Sequence, residues 1–326
     1  MSLNRITNGY LLNQSVNSLN LNLNSLNTLQ KQLSTGQNIN QPSDDPIGTT
    51  QLLSLTNALN DDARYSSNID DANTEVNTAD TALSSMVDII QRIQELTTQA
   101  ANATNNQSGR DAIADEVNQD IDQLVQLGNT DIGGKYIFGG FQTDQPPFVR
   151  TDDYIVQYNG TPPADNWQRP TEVSQGVTMD ININGENLLG SAAGPAGAAP
   201  PSPLPANIPG SGLFQTLTEL LSDLRSGNDP SQLSEIKNRL DDLTTQLNTV
   251  SSQQSIIGAI SNRLQLTQNR ISDRKTVLTQ QFDDIQNVDM PATIAALNSQ
   301  ENTFQSSLSV TARVLQTSLL DYLTNA

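Results

Sequence analysis

LSEIKNRLDDLTTQLNTVSSQQSIIGAISNRLQLTQNRISDRKTVLTQQFDDI, residues 233–285, decides the fold. Ile236, Leu243, Val250, Ile257, Leu264, Ile271, Leu278 and Ile285 follow one another at intervals of seven, and all are apolar. The partner positions hold Leu233, Leu240 and Leu247, then Gln254, Ser261, Gln268 and Lys275, then Phe282. A stripe with this period stays on one helix face only if that face meets another helix. Half of the seam turns polar in the middle, which places the partner there to one side.

Working outward, the N-terminal half carries the same spacing. Tyr65, Ile69, Ala72, Val76, Ala79, Leu83, Met86, Ile90 and Ile93 alternate four and three. Asp45 followed by Pro46 is a cap with proline at the first helical position. Upstream, Leu12, Val16, Leu19, Leu23, Leu26 and Leu33 form a narrow stripe, with Gln30 filling the remaining slot. Gly36 is placed to end that helix. A shorter helix runs through Ile113, Val117, Ile121 and Leu124, with Ser108 as its expected cap. Near the C-terminus, Asn287 to Pro291 interrupts the long helix, and Leu297, Phe304, Leu308, Leu315 and Tyr322 continue at heptad-related positions.

The period changes at Gly133. Tyr136-Ile137-Phe138, Tyr154-Ile155-Val156 and Tyr158 favour strands, and Val177, Met179, Ile181 and Ile183 alternate with polar residues. Residues 191–212 are rich in Ala, Pro and Gly and read as a linker. The layout of helices, insert and helices predicts a mainly α protein. Its architecture is an elongated coiled-coil helical bundle that pairs the N- and C-terminal segments, with a small β-rich inserted domain. Three regions follow: 1–40 with 290–326 as a terminal helical assembly region, 41–135 with 213–289 as the helical bundle, and 136–212 as insert and linker.

Composition narrows the chemistry. The chain has 326 residues, 35% hydrophobic, 4% aromatic and 16% charged, with net charge -19. So acidic a chain disfavours nucleic acid and anionic membrane surfaces. There is no Cys and no His, which removes thiolate nucleophiles, imidazole bases and Cys/His zinc sites. No run approaches the roughly 20 apolar residues of a membrane span. The start, Met1-Ser2-Leu3-Asn4-Arg5-Ile6, has no apolar signal core, so the expectation is an intracellular chain or export without a cleaved signal.

The most specific stretch is Leu33-Ser34-Thr35-Gly36-Gln37-Asn38-Ile39-Asn40, followed by Asp44-Asp45-Pro46. As structure it is a helix stop, a loop and a cap. Adjacent carboxylates at a helix start serve as caps and dipole partners far more often than as a catalytic or metal pair. Gly133-Gly134 and Gly139-Gly140 lack the Gly-Lys-Ser/Thr of a phosphate loop. The whole string resembles the N-terminal signature of the flagellin superfamily, and Phe304 through Leu308 with Leu319 through Leu323 is similar to that family's terminal helix. Pro46 after the Asp pair, and Thr143-Asp144-Gln145-Pro146-Pro147-Phe148 after the glycine-rich strand, resemble the branch that joins hook to filament.

That resemblance implies a structural adaptor of the bacterial flagellum, exported through the flagellar secretion channel and stacked as a ring. Its implied partners are a preceding junction protein, filament flagellin, further copies of itself and an export chaperone. No cofactor, metal, nucleic acid or membrane is implied. The stripes Leu12 to Leu33 and Phe304 to Tyr322 are the expected assembly seam. A filament flagellin is the alternative, and a carboxylate-based hydrolase on a helical scaffold is the rival from another class. The hydrolase needs convergent acids in a pocket, whereas the acids here are spread along helices.

Overall fold

The protein is described by a computed structural model. It describes residues 2–102, 106–152, 155–160, 168–190, 212–226 and 230–324; the side chains of 2–9, 11, 12, 152, 155, 230–232 and 314–324 lie outside the description. The expected linker thus falls outside it, except Gly212, as do Tyr154 and the single Trp. Among the described residues, seven helices and six strands follow one another: α1 (Ser2–Thr35), α2 (Pro46–Ala100), α3 (Gln107–Gly128), β1 (Asp131–Ile132), β2 (Lys135–Tyr136), β3 (Phe148–Asp152), β4 (Ile155–Tyr158), β5 (Pro170–Ser174), β6 (Val177–Asp180), α4 (Gly185–Leu189), α5 (Leu213–Arg225), α6 (Pro230–Gln286) and α7 (Met290–Thr324). They group into two compact units, residues 62–272 and residues 1–61 with 273–326.

Within residues 62–272, α2 and α6 pair antiparallel. The Ser66 hydroxyl accepts from Gln268 at 2.9 Å, and the Thr244 hydroxyl accepts from Gln94 at 3.2 Å. Along α6, Ile236, Leu243, Val250, Ile257, Leu264 and Ile271 are buried. Along α2, the expected series from Tyr65 to Ile93 is buried without exception. The polar half of the α6 seam, Gln254, Ser261 and Gln268, is half-buried. Gln268 donates its amide N–H to Ser66, so part of the flank's polarity is met across the pair, while its Oε1 has no hydrogen-bond partner among the described residues.

Two shorter helices complete the bundle. α5 turns Leu213, Phe214, Leu217, Leu220, Leu221 and Leu224 inward, and α3 contributes Ile113, Val117, Ile121 and Leu124. Their ends are tied by polar contacts: Gln107 donates to the Leu224 carbonyl, and Arg225 meets Asp115 at 3.1 Å. Arg239 of α6 reaches Glu219 and Asp223 of α5 at 2.6 and 3.0 Å. The cap of α3 differs from expectation. Asn106, not Ser108, accepts from the Gly109 N–H; Ser108 lies inside the first turn. Both types cap well, and Asn106, one residue outside the helix, takes the orphan donor.

Among the described residues the insert holds the antiparallel hairpins β3–β4 and β5–β6 and the short helix α4, with the hairpin β1–β2 at its entrance, each hairpin its own two-stranded sheet. Two strands alone bury too little to stand by themselves. They lean on the helices instead: Phe148, Val156, Val173 and Met179 belong to one continuous core with α2, α3, α5 and α6. On β5, Glu172 accepts from Tyr65 through its side chain and from Asn68 through its carbonyl. Arg169 pairs with Glu75 of α2. Phe148 is the hub, with its ring 5.2 Å from Tyr158 and 5.4 Å from Phe214. A Cβ on Gly128 would stand 2.6 Å from that ring, so glycine is required where the α3 backbone passes it.

Ile257→Asp puts an unpaired charge on a side chain 1% exposed. We expect it to destabilise the chain by at least ~3 kcal/mol, read as a lower denaturant midpoint.

A second expectation concerns pH. Asp120 is buried, its Oδ2 has no hydrogen-bond partner among the described residues, and burial pushes its carboxyl up against the pull of Arg92. Burial also raises Glu75, Glu186 and Asp223. The folded chain holds these protons more tightly than the unfolded chain. Their support for folding is therefore full below the unfolded values and is lost as pH rises through the folded ones. The melting temperature should rise on mild acidification from neutrality, and Asp120→Asn should raise it at neutral pH while flattening that dependence.

Candidate assembly surface

The second unit holds α1, α7, the first turns of α2 and the last turns of α6. The α1–α2 connection and the α6–α7 connection lie side by side. The Gln286 carbonyl accepts from the Asn38 N–H at 2.7 Å, the Gly36 carbonyl accepts from the Val288 N–H at 3.1 Å, and Gln37 bridges Asn287. The Gln286 side chain also donates to the Ile39 carbonyl. Both chains thus break at one level and are pinned together there. Gly36 makes the first break possible, at φ +71°.

Most residues of the motif have a structural task in this joint. Ile39 is buried, and Leu33 is half-buried on the last turns of α1. Asn40 donates its side-chain amide to the Gln37 carbonyl. Asp44 accepts from the Asn40 and Gln41 N–H groups at 3.1 and 3.0 Å. Desolvation pushes the Asp44 carboxyl up, but those donors, the Gln41 side chain and Lys31 outweigh it and hold the carboxyl below its usual range. Asp45 caps α2, its Oδ1 accepting from Ile47 and Gly48 at 3.0 Å each, with Pro46 as the first helical residue. Ser34 is exposed. A polar cleft of about 420 Å³ opens between Lys31, Asn38, Asn40 and Asp44. Both carboxylates beside it are spent on backbone donors, which suits a built turn and not general acid–base work.

Beyond the joint, α1 and α7 pair antiparallel. Asn22 donates to the Ser307 hydroxyl at 3.0 Å, and Gln300 donates to the Asn22 carbonyl and side chain at 3.2 Å each. Half-buried positions on the described part of α1 include Ser15, Leu19, Asn22, Leu26, Leu29 and Leu33. On α7, Thr293 and Thr311 are buried, and Leu297, Gln300, Phe304 and Ser307 are half-buried. Both series keep the four-three rhythm, yet about half of their members are polar.

The expected seam is therefore divided. Leu19, Leu26, Leu33 and Phe304 lie on the sides where α1 and α7 meet. Val16, Leu23 and Leu308 face solvent, 43%, 42% and 45% exposed. The side chains of Leu12, Leu315 and Tyr322 lie outside the described residues. The sequence stripe is out of phase by part of a turn, because Asn22 and Ser15 occupy inner positions that an apolar count skips. Leu29 was missed for that reason, whereas Leu297, read as heptad-related, is half-buried on α7. Tyr10 and Leu21, 68% and 67% exposed, flank α1 on the other side. The second motif lies in the other unit: Pro146 is exposed, Pro147 and Phe148 are buried, and Asn129 brackets Phe148 by accepting from its N–H at 2.9 Å and donating to its carbonyl at 2.7 Å.

Two long helices from opposite chain ends, joined by this motif, define a class. The bacterial flagellin N-terminal helical region matches residues 6–143, and the bacterial flagellin C-terminal helical region matches residues 240–323. The chain belongs to the flagellin family. Within it, flagellar hook-associated protein 3 of Escherichia coli strain K12 is 28% identical over 284 residues, covering 85% of this chain and 86% of that protein. The protein of the same name from Salmonella typhimurium is 27% identical over 86% of this chain and 87% of its own. A flagellin of Bacillus subtilis is 24% identical over 96% of each. The fold is shared with a solved putative flagellar hook-associated protein from Vibrio parahaemolyticus, with TM-score 0.63 and 21% identity over 75% of this chain and all of that one.

The cap gives a local test. Asp45→Ala should cost about 1 kcal/mol, seen as a lower melting temperature. Ser34→Ala, at an exposed motif position, should stay within about 0.5 kcal/mol of the parent chain.

Proposed function

We propose that this chain is a structural adaptor of the bacterial flagellum that joins hook to filament. The observation that carries the reading is the likeness to hook-associated protein 3, 28% identical over 85% of this chain and 86% of the Escherichia coli relative, against 24% for the Bacillus subtilis flagellin that matches over a comparable length. Several flagellins match only a part, such as 38% of this chain for that of Clostridium tyrobutyricum. Pro46 and the Pro146-Pro147-Phe148 turn support the same branch.

In this reading the chain is exported through the flagellar channel with the help of a chaperone. It then takes its place as a ring between a preceding junction protein and the first flagellin subunits. The three sequence regions serve it differently: 1–40 with 290–326 assemble, 41–135 with 213–289 form the bundle, and 136–212 form the insert. The mechanism is mechanical. Val16, Leu23 and Leu308 stay exposed in the free chain, and burying such surface against neighbours contributes about 25 cal/mol per Å². The partly polar α1–α7 seam leaves the pair dependent on that burial.

Gold-labelled antibody against this chain should mark one band at the hook end of isolated flagella. Label along the whole filament would establish the flagellin alternative instead. Leu308→Asp should leave the melting temperature of the free chain within about 0.5 kcal/mol equivalent, because the side chain is exposed, and should abolish motility. A large loss of stability in the free chain would show that Leu308 serves the fold and not assembly.

A further inference from the structure

The outer face of α1 has a composition that solvation alone does not explain. Asn13, Asn17, Asn20, Asn24 and Asn27 recur at intervals of four, three, four and three, and every one is exposed. They lie opposite the Leu19–Asn22–Leu26 side that meets α7. On one border of this stripe stand Val16 and Leu23, and on the other Tyr10 and Leu21, all exposed. Residues 6–30 contain no Asp, Glu, Lys or Arg.

Elsewhere the chain treats solvated helix positions differently. The exposed positions of α6 mix Asn238, Asn262 and Asn269 with charged residues such as Lys237, Arg263 and Arg270. Asn is among the weaker helix formers, and Lys, Glu or Gln would serve an exposed helical position better. A face of amides bordered by large apolar side chains and free of charge has the make-up of a contact surface, where charged residues are depleted. Charge also decides which surfaces copies can bring together. With net charge -19, copies repel one another overall, and a charge-free face adds no local repulsion where two copies meet.

We propose that the asparagine stripe of α1 docks against the outer face of α7 in a second copy of this chain. A closed ring needs two different faces in contact, not one face with itself. Among the described terminal helices, the α7 face turned away from α1 supplies the complement. Ala295, Asn298, Asn302 and Gln305 are exposed there and uncharged. Amides donate and accept at once, so two such faces can pair without a buried charge. This proposal rests on the ring-forming reading above and names the surface that would close the ring.

The chain has no native cysteine, so single introduced ones report without interference. Chains carrying Asn20→Cys and Asn302→Cys are expressed together, and isolated flagella are oxidised. The expected result is a mixed disulfide between the two chains, with Cys at 20 reacting with maleimide at least tenfold more slowly in flagella than in the free chain. Labelling as fast as in the free chain, or adducts of the Asn20→Cys chain with itself alone, would overturn the proposal while leaving the ring reading intact. Absence of both chains from the flagellar fraction would overturn the flagellar reading and this proposal with it. Asn20→Asp with Asn24→Asp should cut incorporation more than tenfold at an unchanged melting temperature. Asn20→Gln with Asn24→Gln, which keeps the amides, should retain most of it.

Discussion

The antiparallel contact of α2 with α6 is the interaction on which the rest of unit 62–272 is built. Its two stripes come from chain segments well over a hundred residues apart, so the pairing can form only when the segments between are closed off. That closure costs entropy that local contacts do not return. The seam offsets it with an unbroken file of buried side chains, Ile236 to Ile271 on α6 and Tyr65 to Ile93 on α2. Once the file is in place, α3 and α5 find a floor to cover, and the hairpins find a wall. Phe148 shows how late elements depend on it. The aromatic contacts of Phe148 reach α5 and β4, and its backbone is held by Asn129 just beyond α3.

The terminal pair α1 and α7 follows the same period with opposite chemistry. Where α2 and α6 place Ile, Leu and Val, the inner positions here include Asn22, Gln300, Ser307 and Thr311. A polar residue in a helix seam fixes pairing at a cost in stability. Asn22 satisfies its partners, which confers specificity, but it adds little apolar burial. The backbone joint at Gly36 and Val288 supplements the weak seam by fixing where the two helices start relative to one another.

The helices and their pairing were legible because the apolar period extends over many turns and does not depend on context. Asp45-Pro46 and Gly36 were legible as well, since a cap and a left-handed stop follow from side-chain chemistry at single positions. The phase of the α1 stripe was not. Counting apolar residues rejects Asn22 and Ser15 from the inner side, although a hydrogen bond across the pair makes Asn22 a proper member. The cap of α3 was misplaced by two residues: Ser108 was expected, and Asn106, an equally good capping type, takes the Gly109 N–H. The role of Phe148 as a hub arises from Gly128, Tyr158 and Phe214 converging on it, and no local pattern announces a convergence of residues so distant in sequence.

The uneven use of aromatic residues ties these points together. Only 4% of the chain is aromatic, and the fully buried rings Phe138, Phe148 and Phe214 all lie in one unit. Rings contribute large buried area per residue, so a chain with few of them concentrates its tightest packing where they gather. The unit of α1 and α7 has Phe304 only half-buried and Tyr10 exposed. A segment that must accept neighbours needs surface left uncovered, and a pair satisfied internally would have none to offer. Withholding rings and aliphatic layers from α1 and α7, while supplying them in full to α2 and α6, lets one period along the sequence build both a finished bundle and an unfinished one.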